Sequence, residues 1–411
     1  TVSKILELTQ NASAKKAPTE NFITKFAKYY TPFVVFCAAA LAFLPPLFGS
    51  AITLEESFSR ALVFLVVSCP CALVVSIPLS FFGGIGGASR NGILIKGGNF
   101  LEALKSADTV VFDKTGTLTK GVFSVSLVTA ANGFGEDETL KYASYAEHYS
   151  NHPIALSIKK AYKEAVDEAH IASHEELAGY GVKAVIDSKK VVVGTAKLME
   201  QEGVAFIPKE EFEGAVYVAI DGKFAGYITI EDEIKDGAKT AIEELRRLGI
   251  TNIAMLTGDS EGAARRVADK LGIKTVYAGL LPHQKVEKLE EIIAAKKQNG
   301  KTIFVGDGIN DAPSLARADI GIAMGGVGSD AAIEAADVVL MTDEVSKIAT
   351  ALKIAKKTNA IVWQNIAFAL GVKGAILIMG AFGVATMWEA VFGDVGVALI
   401  AILNAARVLR H

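Results

Sequence analysis

Thr109-Val110-Val111-Phe112-Asp113-Lys114-Thr115-Gly116-Thr117-Leu118-Thr119 is the stretch on which the reading of this chain turns. Thr109–Phe112 is β-branched and aromatic, the composition of a short buried strand, so Asp113 is expected at a strand's carboxyl end. In open α/β sheets ligands bind at that edge. The Thr-Gly-Thr that follows brings hydroxyls, backbone N–H groups and a tight turn, the materials of a phosphate cradle. A carboxylate presented there is placed to attack phosphorus and form an aspartyl phosphate. Two places on stands Thr115, which near neutral pH is neither a proton donor for a leaving group nor a base for water. The acyl phosphate is therefore expected to form from a good leaving group and to persist.

Outward from this stretch the chain changes character. Residues 29–54 and 61–89 carry no charged side chain, and residues 358–406 carry only Lys373, Glu389 and Asp394. Each run is long enough to cross a bilayer, and four spans are expected, flanking a charged, aqueous-type segment. The 411 residues are 51% hydrophobic, which fits that division. Lys25, Lys28, Arg90, Lys96, Lys353, Lys356, Lys357 and Arg410 lie at one set of span ends, and the loop 51–59 has no basic residue. By the positive-inside rule the termini and the insert are cytoplasmic. A net charge of −3 excludes a strongly basic nucleic-acid binder. Cys37, Cys69 and Cys71 all lie in apolar runs, so no disulfide scaffold is expected. The amphipathic, lysine-rich start does not read as a cleavable signal peptide, and a first residue Thr1 suggests a fragment or processed product.

Within the insert, Val110–Phe112, Ile253–Leu256 and Ile303–Val305 are short apolar strands, with helical patterns at 236–248, 262–271 and 284–297 between or after them. That alternation predicts a doubly wound sheet. Residues 122–232 interrupt it with helices at 137–149 and 153–168, then strands at 182–186, 191–193, 216–220 and 227–230: a second α+β module spliced into the first. In the membrane part, Pro32 and Pro45-Pro46 are expected to kink or end the first span. Glu55-Glu56 reads as an acidic loop and Gly83–Gly87 as a glycine-rich tail.

Further clusters follow the strands. Thr257-Gly258-Asp259 offers a hydroxyl and backbone N–H, although a plain turn explains it equally well alone. Gly306-Asp307-Gly308-Ile309-Asn310-Asp311 puts two carboxylates at a strand end, suited to Mg²⁺, with an Asp/Gly turn as the bland reading. Lys285, near a helix start, is placed to neutralise phosphoryl charge, or is a solvated lysine. Their recurrence in order, each after a strand or opening a helix, decides for chemistry.

These residues resemble the haloacid-dehalogenase superfamily and, more closely, the P-type ATPases. The resemblance covers nearly the whole chain. It implies that Asp113 accepts the γ-phosphoryl of ATP and that Mg²⁺ is bound by Asp113, the Thr115 carbonyl and Asp307. It implies that Lys285, Thr257 and Asn310 hold phosphate oxygens, beside Gly258 and Asp259, with Asp311 supporting the site. Ser260 and Lys235 stand where the family often has Asn and Arg. Asn151-His152-Pro153 and Gly179-Tyr180-Gly181 resemble motifs of the heavy-metal branch, where Glu147, His152, Gly179 and Gly181 contact the adenine; a helix-capping role is the alternative for His152.

The resemblance also divides the chain into a cytoplasmic lead-in helix (1–28), a transmembrane pair with Cys-Pro-Cys (29–89), and a first part of the phosphorylation domain (90–121). A nucleotide-binding domain (122–235), the second part of the phosphorylation domain (236–352) and a transmembrane pair (353–411) follow. The expected fold is thus a membrane protein of four transmembrane α-helices with a cytoplasmic α/β dehalogenase-like domain and an inserted α+β domain.

Cys69-Pro70-Cys71 breaks the helical ladder between two soft thiols, which suit zinc, cadmium, lead or copper(I). Lys373 and Asp394 are ionisable residues inside spans, functional candidates by default, with a helix-fixing ion pair as the alternative. A hard carboxylate beside soft thiolates favours a borderline divalent ion. Lys373 with Asp394-Val395-Gly396 resembles the zinc/cadmium/lead-exporting subgroup, in which the aspartate is a metal ligand and the lysine a counter-ion. The competing readings are a copper(I) or cobalt pump, a membrane-anchored dehalogenase-type phosphatase, and a metal-sensing fragment. No Thr-Gly-Glu occurs in the chain, so a missing N-terminal portion carrying an actuator domain is expected as a partner, and the chain alone is expected to dephosphorylate slowly.

Overall fold

The computed structural model describes residues 18–48, 53–206, 215–296, 298–307, 309–325, 330–381, 384 and 387–409. Most of the expected lead-in segment lies outside them. Thirteen strands are described: β1 (Ile93–Ile95), β2 (Ala107–Asp113), β3 (Thr119–Ala130), β4 (Ile171–Leu177), β5 (Gly181–Ile186), β6 (Lys189–Gly194), β7 (Ala215–Ile220), β8 (Lys223–Ile234), β9 (Asn252–Leu256), β10 (Thr275–Tyr277), β11 (Lys301–Gly306), β12 (Ile320–Met324) and β13 (Val338–Leu340). They form a seven-stranded sheet in the order β1-β13-β12-β11-β2-β9-β10 and a six-stranded sheet in the order β3-β8-β7-β6-β5-β4. In the first, β11, β12 and β13 run parallel, as do β9 and β10, and β1 closes one edge antiparallel. The second is antiparallel throughout.

The described residues gather into two compact units, one of Thr1–Val111, Thr240–Asn252 and Lys288–His411, the other of Phe112–Lys239 and Ile253–Glu287. The first holds four helices long and apolar enough to cross a membrane: Lys28–Leu47, Leu54–Arg90, Ser346–Gly380 and Phe392–Leu409. The helix Pro18–Leu47 ends one residue beyond Pro46, as the proline pair predicts. Glu55 and Glu56 do not form a loop; they open the helix Leu54–Ser68, where Thr53 and Glu56 make a reciprocal capping box. The chain breaks at Cys69-Pro70 and resumes as the helix Cys71–Arg90.

That helix runs through Gly83–Gly87, so the expected glycine-rich tail is helical. Packing explains it: a Cβ on Gly84 would come within 2.6 Å of Leu101 Cδ2 and of Thr358 Oγ1. Bare backbone lets neighbouring segments approach, and that contact outweighs glycine's poor helix propensity. The helix Ser346–Ala381 is fastened to the aqueous part of the same unit, Lys353 pairing with Glu244 and Lys356 donating to the Leu248 carbonyl. Asp394 falls in a π-helical turn, Phe392–Gly396, that leads into the helix Val397–Ala406. Such bulges occur often at functional sites.

In the second unit the helices Glu136–Ala146 and Pro153–Ala161 cover one face of the six-stranded sheet through Tyr142, Ala146, Ile158, Val182, Val193 and Val218. The helix expected over 153–168 stops at Ala161. Leu198, Met199 and Tyr217 build a smaller core that includes Val192 and Ala219. The strands absent from the sequence reading include β3 and β4, which are the two edges of this sheet. Both are largely half-buried or exposed and lack clean apolar alternation, which is how edge strands avoid sticking to other chains.

Candidate functional site

Asp113 ends β2, whose last five residues are buried, and its own exposure is only 5%. Lys285, in the first turn of the helix Pro282–Ala294, places Nζ 2.5 Å from Asp113 Oδ1. The next residue, Lys114, is also buried; it pairs with Asp259 and lies 3.7 Å from Asp232. Asp232 accepts a 2.5 Å hydrogen bond from Thr119 Oγ1. Gly116 turns the loop at φ +73°, and its carbonyl accepts from Lys235 Nζ. Thr257 follows β9, buried, with its Oγ1 accepting from the Asp259 N–H at 3.1 Å. The loop is thus held by the Lys285–Asp113 and Lys114–Asp259 ion pairs, with cationic nitrogen beside the Asp113 carboxylate.

In the first unit, Asp307 follows β11 and Asn310 and Asp311 lie in the short turn after it. A Cβ on Gly306 would meet Asp311 Cβ and Oδ2 at 2.9 Å, so glycine at 306 is what lets the buried Asp311 side chain fold back beneath the strand end.

The membrane candidates come together in that same unit. The helix break at Pro70 frees backbone carbonyls, and Lys373 answers two of them: its Nζ donates to Val67 O at 3.2 Å and to Cys69 O. It also donates to Asp394 Oδ1 at 2.9 Å, while remaining only 7% exposed. The ligand atoms of Cys69, Cys71 and Asp394 all lie within 4.8 Å of one another. One expectation is corrected: the two sulfurs are joined in a disulfide, their Cα atoms 5.4 Å apart. A proline turn between two cysteines brings them into bonding range. In that form neither sulfur is a thiolate, so a soft-metal site there requires the reduced pair.

In the second unit Glu147 closes the helix Glu136–Ala146 with 5% exposure. Burial, helped by the charge of Glu176, pushes its carboxyl up to about 7. His152 caps the helix Pro153–Ala161, its Nδ1 accepting from the Ile154 N–H at 3.3 Å, which is the structural role weighed for it. Lys159 pins the intervening loop by donating to His148 O at 2.9 Å and Ser150 O at 2.7 Å. Gly179 and Gly181 have φ of +79° and +139°.

Residues 107–319 match the description of the haloacid dehalogenase-like hydrolases. Across 100% of the chain the sequence is 58% identical to a cadmium, zinc and cobalt-transporting ATPase of Bacillus subtilis (strain 168) and 53% identical to a zinc-transporting ATPase of Synechocystis. The fold superposes with a TM-score of 0.82 on the crystal structure of a zinc-transporting PIB-type ATPase in its E2.Pi state, at 35% identity, covering 100% of this chain and 67% of that one. The chain belongs to the heavy-metal P-type ATPases. It spans 58% and 57% of the lengths of the Bacillus and Synechocystis relatives.

For a heavy-metal P-type ATPase, the sequence pointed to Asp113, Lys285, Thr257, Asp259 and the four membrane residues. It gave little weight to the clamp of Lys114, Thr119 and Asp232. That clamp depends on the pairing of Thr119 with Ile234 between β3 and β8, which brings residue 232 beside the Asp113 loop from more than a hundred residues away.

Two outcomes are expected in the inserted module. Glu147 has a folded pKa above its unfolded value of 4.5, so its contribution to stability is full below pH 4.5 and is lost as pH rises through about 7. The loss is on the order of 3 kcal/mol. Limited proteolysis of the intact chain should therefore speed up within residues 136–194 between acid and mildly alkaline pH, and Glu147→Gln should flatten that profile. Gly181→Ala would place a Cβ 2.1 Å from Val193 O at a left-handed φ, whereas a Cβ on Gly179 meets nothing within 4 Å. Gly181→Ala is expected to cost roughly 1–3 kcal/mol of stability and Gly179→Ala less, read as a lowered thermal transition.

Proposed function

We propose that this chain is the phosphorylation and metal-binding part of an ATP-driven pump that exports divalent borderline-soft ions, zinc and cadmium foremost. The observation that carries this is the cluster of Cys69, Cys71, Asp394 and Lys373 at a broken membrane helix, in a chain whose aqueous part is dehalogenase-like. In the chemical step an Asp113 carboxylate oxygen attacks the γ-phosphorus of ATP. The bond from phosphorus to the bridging oxygen breaks, ADP departs with that electron pair, and an acyl phosphate remains. Lys285 offsets the charge gathered on the phosphoryl oxygens. Thr257 and Asn310 hold those oxygens, and Asp259, paired with Lys114, keeps the loop in place.

Asp113, the Thr115 carbonyl and Asp307 would offer oxygen ligands only, which fits the demands of Mg²⁺. When bound there, Mg²⁺ supplies positive charge to the phosphate oxygens. Thr115 provides no acid or base for hydrolysis, which keeps the phosphoenzyme long-lived. Glu147, His152, Gly179 and Gly181 serve the adenine, within a nucleotide-binding domain of about residues 122–235.

On the membrane side, reduced Cys69 and Cys71 with Asp394 take the transported ion. Lys373, which pairs with Asp394, is displaced by the ion and returns on its release. Soft sulfur and one carboxylate suit zinc and cadmium. Cobalt stands as a second cargo because the Bacillus relative's name includes it; lead rests on ligand softness and on the resemblance of Lys373 and Asp394-Val395-Gly396 to a zinc/cadmium/lead-exporting subgroup. A further portion carrying an actuator domain would complete the pump, with the aqueous domains in the cytoplasm. Expressed with that portion in metal-sensitive cells, the chain is expected to restore tolerance to zinc and cadmium. Restored tolerance to copper alone would contradict the assignment.

A further inference from the structure

Between the helix Ser346–Ala381 and the last membrane helix, Val397–Ala406, lies a groove of about 350 Å³ whose lining includes the polar Gln364, Asn404 and Arg407 and the apolar Phe368, Ile400 and Leu403. Its depth in the membrane follows from the anchoring of Lys356 on the Leu248 carbonyl of the aqueous part. Gln364 lies eight residues further along the helix, about 12 Å at 1.5 Å per residue. The polar end of the groove therefore sits at the level of the head groups, and Phe368, one turn deeper, at the start of the hydrocarbon.

The polar groups form a chain of hydrogen bonds. Asn365, buried, donates to the Ala401 carbonyl at 3.0 Å. Asn404 donates to Asn365 Oδ1 at 2.9 Å and to Gln364 Oε1 at 3.3 Å, and Arg407 Nη1 donates to Asn404 Oδ1 at 2.8 Å. Each of the three side-chain amide oxygens thus accepts one hydrogen bond from within the cluster. The Gln364 amide N–H₂ and the other N–H groups of Arg407 have no protein partner among the described residues, and no carboxylate there neutralises the guanidinium. The groove thus presents a cluster of donors with one positive charge at its rim and apolar walls beneath.

We infer that this groove binds an anionic glycerophospholipid of the cytoplasmic leaflet. Its phosphate is taken by Arg407 and Gln364, and an acyl chain lies along Phe368, Ile400 and Leu403. Guanidinium and amide donors match phosphate oxygens, and basic grooves between membrane helices at this depth favour anionic head groups. Phosphatidylcholine is a poorer fit, because no acid in the lining meets its choline cation. A lipid seated there braces the two helices that carry Lys373 and Asp394.

The test is lipid retention by the full chain, reconstituted in vesicles of phosphatidylcholine mixed with phosphatidylglycerol, extracted in mild detergent and weighed by native mass spectrometry. The wild type is expected to keep phosphatidylglycerol over phosphatidylcholine. Arg407→Gln should reduce that retention on the order of tenfold, and Arg407→Lys should restore part of it. Gln364→Leu, which removes a donor while keeping an apolar helix former, gives the same reading if Arg407→Gln does not fold. Equal retention of both lipids, or unchanged retention in both Arg407→Gln and Gln364→Leu, overturns the inference. So does loss of the lipid when the chain is purified with a relative's N-terminal portion, which would make the groove a helix–helix seam. Displacement by inorganic phosphate as readily as by excess phosphatidylglycerol would likewise overturn it, because the apolar walls would then contribute nothing.

Discussion

Asp113→Asn is expected to reduce acid-stable phosphoenzyme from radiolabelled ATP by a factor on the order of 10⁴ or more, to background. The substitution conserves shape and removes the carboxylate proposed as nucleophile. Asp113 is almost fully buried against Lys285, so the loop should stay folded and leave one lysine with fewer compensating charges. ATP binding should accordingly survive or tighten while phosphoryl transfer stops, a separation that unfolding would not give. Lys285→Met is the complementary case. It leaves the carboxylate but removes the nearest described cation, so phosphorylation should slow sharply and binding of the triphosphate should weaken. Phosphoenzyme in Asp113→Asn at the wild-type level would move the phosphorylated group elsewhere.

Lys373→Met is expected to have the second large effect. The ammonium satisfies two carbonyls exposed by the break at Pro70 and neutralises Asp394, all within an apolar span. Removing one partner of a buried pair costs about 3–5 kcal/mol, since the other is left uncompensated. The thermal transition of the solubilised chain should fall clearly. Metal added back should recover much of that loss, because a divalent ion replaces the missing positive charge beside Asp394 and a ligand that binds only the folded state stabilises it. Zinc should also be held more tightly in Lys373→Met than in the wild type, where the lysine competes for the same carboxylate. A variant of unchanged stability and unchanged zinc affinity would reduce Lys373 to a spectator.

The strands that cross the middle of a core were legible in the sequence: Val110–Phe112, Ile253–Leu256 and Ile303–Val305 are apolar runs ending in acid-bearing turns, and β2, β9 and β11 contain them. The edge strands β3 and β4 were not, because half-exposed strands carry polar residues that mimic loops. Gly83–Gly87 was misread for the opposite reason: its helix is held by contacts with Leu101, Thr358 and Val408, far away in the chain. The site divides in the same way. Asp113, Lys285 and Asp394 are each legible from a local rule about strand ends, helix starts or charges in membranes. The engagement of Lys373 with the Val67 and Cys69 carbonyls, and of Asp232 with Thr119, exists only after distant segments meet. The disulfide between Cys69 and Cys71 is not legible in the sequence, where three cysteines in apolar runs point away from a disulfide framework.

Metal binding to the reduced, detergent-solubilised chain tests the account most directly. Wild type is compared with Cys69→Ala, Cys71→Ala and Asp394→Ala in competition between zinc, cadmium and copper(I). A single zinc or cadmium ion is expected to bind, with binding weakened by each substitution and abolished when Cys69 and Cys71 are oxidised to the disulfide. Preferential copper(I) binding that Asp394→Ala leaves unchanged would contradict it, and would make the Lys373–Asp394 pair a packing device only.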